Sequence, residues 1–158
     1  MNLLSNPVRK VARGVSESAQ FVDAQSEASR KHLQPFFSYG RRTELLSEMY
    51  DVAEELSRPG WNGGDEAPVS QEAFYKAYCL AEALPSEIPN PTVGADPDGE
   101  LTFEWYRGPR HLLSLSIAAE GVIHYVARIG PNKHHGVEEF FDEMPRRIVE
   151  LIQDVVTG

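Results

Sequence analysis

Glu44, Glu48, Asp51 and Glu55 repeat at intervals of four, three and four, so a helix over this stretch gathers them into one acidic stripe. Glu54 stands beside the stripe, and Asp65 and Glu66 follow in the next polar segment. Like charges three or four positions apart on a helix repel by roughly 0.2–0.5 kcal/mol per pair. Only Arg41, Arg42 and Arg58 are near enough in sequence to relieve them. The chemistry this pattern offers is attraction for a basic surface.

Other residue types point to weaker chemistry. His134-His135, with His111, His124 and Glu138 or Glu139 as further donors, is the best metal candidate. Adjacent residues on a strand point to opposite faces, and the spacing matches none of the zinc signatures, so no metal and no cofactor is expected. The segment Gly130-Pro131-Asn132-Lys133-His134-His135-Gly136 reads instead as a solvated loop, and it lacks the pattern of a phosphate loop. No Ser-His-Asp motif or nucleophile elbow is present, and Cys79 falls mid-helix without a nearby His. Glu100, Thr102, Glu104 and Tyr106 share one face of a strand. With Ser114, Ser116, His124 and Arg128 on neighbouring strands they would form a polar sheet surface capable of acid–base work.

The net charge of −9 is unevenly spread over the 158 residues. Residues 43–106 hold fourteen acidic side chains against Arg58 and Lys76, whereas residues 107–135 carry four basic side chains against Glu120. An acidic half of this kind excludes a phosphate-binding face there, so no direct nucleic-acid contact is expected. No apolar run approaches the ~20 residues that span a bilayer. The N-terminus is a poor signal peptide and Cys79 has no intramolecular partner, which together favour a reducing, cytoplasmic setting.

The elements that must position these residues follow from periodicity. Residues 1–40 read as an arm, flexible to Gly14 and marginally helical from 15 to 33, with Phe36, Phe37 and Tyr39 concentrated between Pro35 and Gly40. A single domain is expected over 41–158. Leu45, Leu46, Met49, Val52, Ala53 and Leu56 give the core face of a first helix, which Pro59-Gly60 stops. Trp61 should anchor the following loop beneath the helices, as a core residue. Ser70 is an N-cap for a second helix over 71–83, and Pro145 opens a third whose core face is Ile148, Leu151, Ile152 and Val155. Between them the period changes to two, with Leu101, Phe103 and Trp105 alternating against polar residues. Short turns at Asp96-Pro97-Asp98-Gly99, Arg107-Gly108-Pro109-Arg110 and Glu120-Gly121 join four strands into an antiparallel meander. The expected fold is α+β, a four-stranded meander covered on one face by helices, with an N-terminal arm.

Gly60-Trp61-Asn62-Gly63, Ala67-Pro68-Val69-Ser70, Leu84-Pro85, Pro89-Asn90-Pro91, Asp98-Gly99-Glu100 and Glu104-Trp105 occur in an order that resembles a group of small bacterial proteins of unknown function. The resemblance spans about residues 59–156 and implies no activity to transfer. The expectation from the residues themselves is a small acidic bacterial interaction protein, antitoxin-, immunity- or inhibitor-like, without catalysis of its own. It would bind a basic protein surface through Glu44, Glu48, Asp51, Glu54, Glu55, Asp65 and Glu66. One alternative is a small enzyme or ligand-binding domain using the polar sheet face with His124, His134 and His135. Another is a subunit docked through Phe36, Phe37 and Tyr39. Oligomeric state is left open.

Overall fold

The computed structural model describes residues 40–158. The expected arm, with Phe36, Phe37 and Tyr39, lies outside the described residues. Helix α1 runs over 40–55, α2 over Gln71–Glu82 and α3 over Arg146–Thr157. Strands β1 (Thr92–Ala95), β2 (Leu101–Gly108), β3 (His111–Ile117), β4 (Val122–Ile129) and β5 (Asn132–Glu139) form an antiparallel sheet in sequence order. The fold is α+β, as the periodicities require, but the sheet has five strands rather than four.

The extra strand is β5, where the residue pattern alone suggests a loop. Its residues carry no apolar alternation, because β5 is an edge strand with little of either face covered. Position 136 of β5 faces Tyr125 of β4, and a Cβ there would meet the tyrosine Oη at 2.7 Å. Only glycine lets that ring lie across the strand.

Alternation sets the rest. Leu101, Phe103 and Trp105, Leu113, Leu115 and Ile117, and Ile123, Tyr125 and Ala127 all point to one face, where they are buried. Ile148, Leu151, Ile152 and Val155 of α3, Ala77, Leu80 and Ala81 of α2, and Leu45 and Met49 of α1 complete one core. Trp105 belongs to it and donates its indole N–H to the Pro89 carbonyl at 2.8 Å. Trp61 does not: it is half-buried and donates to the Ala67 carbonyl at 3.0 Å, tying its own loop. The reason is local, since the loop between α1 and α2 folds on itself through Gly60 N–H to the Glu66 carbonyl at 2.9 Å.

That loop is clasped to the β1–β2 turn. Ala67 N–H donates to the Pro97 carbonyl at 2.8 Å, and the Asp96 carboxylate accepts from the backbone N–H groups of Asp98 and Glu100. Gly99 sits at φ +83°, with the Pro68 carbonyl where a side chain would be. Arg42 of α1 donates to the carbonyls of Ala81 and Leu84, tying α1 to the end of α2 and the residues that follow it. Asn90 donates to the Arg41 carbonyl at 2.6 Å and fixes the same end of α1 to the chain entering the sheet.

Candidate partner-binding surface

The core face of α1 is Leu45 and Met49, flanked by half-buried Leu46, Val52, Ala53 and Leu56, so the acidic positions fall on its flank and outer side. Glu44, Asp51, Glu54 and Glu55 are exposed, and so is Asp65 in the following loop. Two of the seven expected site residues have another task. Glu48 is half-buried, and its Oε1 accepts from the Val93 N–H at 3.0 Å. It thereby satisfies an outward N–H of β1, whose inner edge pairs with β2. Glu66 is half-buried too, and its Oε2 accepts from the Gly64 N–H at 2.9 Å. Both are held in place by the fold, so neither is a free contact residue.

Next to Glu54, on the α2 side of α1, the structure places a groove that sequence reasoning missed. Tyr50, Ala53 and Glu54 of α1, Val69 and Ser70 before α2, and Gln71 and Phe74 of α2 line about 340 Å³. The Tyr50 and Phe74 rings meet at 4.7 Å between centroids, tilted by 45°. Tyr50 is 59% exposed. Ser70 lines the groove and caps α2, its hydroxyl accepting from the Ala73 N–H at 3.1 Å. In sequence, the available signal was Tyr50 itself, an aromatic residue off the apolar stripe and beside an acid.

The open face of the sheet is the second candidate. Cross-strand register aligns Thr102, Ser116 and His124 in one row and Glu104, Ser114, Val126 and His135 in the next. A shallow cavity of about 470 Å³ is lined there by Asp96, Thr102, Ser114, Ser116, His124 and His135 together with Val126 and Val137. These rows gather the polar face expected from alternation. His134 is not among them: it points to the helix side, with its Nδ1 3.4 Å from the Arg147 guanidinium. His134 and His135 therefore stand on opposite faces and cannot jointly hold a ligand.

Glu100, next to this face, has its carboxyl pushed above the usual carboxylate range, chiefly by burial and also by Asp96 and Asp98, against opposing contributions from the Ser116 hydrogen bond and His124. A raised carboxyl favours the protonated form in the fold. The stabilisation it gives is present below the ordinary carboxylate range and is lost as pH rises through the raised value. Glu100→Gln should therefore raise the melting temperature at neutral pH, with the gain vanishing in acid. Thermal unfolding of both proteins across pH tests this, and a gain that grows toward acid would contradict it.

No family model, curated protein or solved structure matches this chain. No helix among the described residues is long and apolar enough to cross a membrane.

Proposed function

We propose that this protein is a small acidic interaction protein that binds a basic surface of a protein partner. The contact is the exposed acidic side of α1 together with the Tyr50–Phe74 groove. The observation that carries this reading is an exposed aromatic anchor, Tyr50, with Glu54 in one groove, on a helix whose exposed carboxylates Glu44, Asp51, Glu54 and Glu55 lack an ion-pair partner among the described residues, where the one ion pair found is Arg146–Glu150. An aromatic-lined depression supplies burial at the centre of a contact, and charges at its rim supply steering and selectivity. Glu44, Asp51, Glu54 and Glu55 are the contact carboxylates, with Asp65 extending the patch; Glu48 and Glu66 support the surface from within. Antitoxins, immunity proteins and inhibitors of nucleic-acid enzymes work by occupying a basic groove in this manner, and that is the role assigned here.

The test is kinetic. With the partner in hand, replacing Glu44, Asp51, Glu54 and Glu55 by their amides should slow association by about tenfold or more at low ionic strength and flatten its salt dependence. Dissociation should change less, while Tyr50→Ala should chiefly speed dissociation. Association unchanged in the amide variant removes α1 from the contact.

The polar sheet face supports a second reading, as a small-ligand site, through the convergence of Thr102, Ser114, Ser116 and His124 on one cavity. The two readings separate because amide variants on α1 leave that cavity intact.

A further inference from the structure

The two edges of the sheet are treated differently. At β1 the outward Val93 N–H is taken by the Glu48 carboxylate. At β5 no such acceptor occurs among the described residues. The phase of the β4–β5 ladder identifies which groups are left open. Phe140 N–H donates to the Gly121 carbonyl at 2.8 Å, and pairing continues as Ile123 with Glu138, Tyr125 with Gly136 and Ala127 with His134. Antiparallel ladders alternate hydrogen-bonded and non-hydrogen-bonded pairs, so the even-numbered residues of β5 bond inward to β4. Lys133, His135, Val137 and Glu139 consequently present their N–H and C=O groups to the open edge.

The charges along β5 are polarised. Lys133 lies near its start and Glu138 and Glu139 at its end, and none of them has an ion-pair partner among the described residues. Lys133 is directly opposite Arg128, a like-charge pair that costs stability where it stands. On the helix side, Arg147 adds positive charge next to His134.

We propose that β5 pairs antiparallel with β5 of a second copy of this chain, about a two-fold axis through Gly136, to form one continuous sheet. Antiparallel pairing sets the basic start of each strand against the acidic end of the other. With Gly136 facing its own copy, Lys133 faces Glu139 and His134 faces Glu138, and each charge on one strand meets its opposite or an imidazole on the other. The same register matches the odd residues with one another, so the open N–H and C=O groups bond across the axis. Residues directly opposite also keep to the same face. Sliding by two residues in either direction removes Glu139 from Lys133, so charge selects this register. Glycine at a non-hydrogen-bonded position on the axis permits the close approach of about 4.5 Å between Cα atoms that such a pair requires. Glu139 of the second chain also relieves the Arg128–Lys133 repulsion.

The experiment is the solution mass of the full chain by light scattering on a sizing column. Wild type should run at twice the chain mass. Val137→Pro deletes an N–H that serves only the edge, and should run as a monomer with unchanged circular dichroism. Lys133→Glu and Glu139→Lys should each run as monomers. Mixed together they should form a dimer, because both ends of the first variant's strand are then acidic and face the two basic ends of the second. This mixing result decides the matter even where the proline variant fails to fold. A monomeric wild type overturns the proposal. So does a dimer that survives Val137→Pro in folded form, or charge variants that behave like wild type.

Discussion

Trp105→Ala lowers stability by about 3–5 kcal/mol, the loss typical of a large aromatic removed from a packed core. The side chain is 4% exposed and sits on β2 among Leu113, α3 and the chain entering β1. Its loss also leaves the Pro89 carbonyl without the indole donor. For a domain of this size the melting temperature should fall by about 10–20 °C. Trp61→Ala should cost clearly less, since Trp61 is half-buried and ties only its own loop. Equal losses from the two variants would contradict the division between core and loop.

Gly99→Ala should cost about 2–4 kcal/mol, from two sources that add. The residue holds φ +83°, and a Cβ there would lie 2.5 Å from the Pro68 carbonyl oxygen, a backbone atom that cannot step aside without parting the α1–α2 loop from the β1–β2 turn. Gly63→Ala separates the sources. Gly63 has a similar φ of +88° and open space around it, so that variant carries the conformational cost of about 1–2 kcal/mol alone. Denaturant midpoints of the three proteins give the comparison, and a Gly99 variant no worse than the Gly63 one would show that the clasp is slack.

The strands that pack under helices were legible because burial writes itself into alternation: Leu101, Phe103 and Trp105 admit one register and one inward face. β5 was not, because an edge strand with a glycine beneath Tyr125 and polar residues on both sides carries no such pattern. The one signal it offered was the two-residue Gly130-Pro131 connection directly after β4, a length that joins antiparallel neighbours. At the candidate surface, the period of α1 sufficed to place Glu44, Asp51 and Glu55 outward. It could not distinguish Glu48, since an acceptor for the Val93 N–H depends on an edge forty-five residues away. The Tyr50–Phe74 groove was hidden for the same reason, being made by two helices whose approach no local pattern encodes. The polar sheet face was legible in part: alternation gave its members, and only the register brought Ser116 level with Thr102 and His124.

Docking of a basic protein on the exposed acids of α1 and the Tyr50–Phe74 groove is tested most directly by affinity capture from a lysate of the source organism, comparing wild type with a chain carrying Tyr50→Ala, Asp51→Asn, Glu54→Gln and Glu55→Gln. The account predicts a specific basic protein retained by wild type at low salt, released as ionic strength rises past about 0.15 M, where charges are screened beyond ~8 Å, and absent from the variant. Retention of the same protein by both chains, with the same salt dependence, would contradict it.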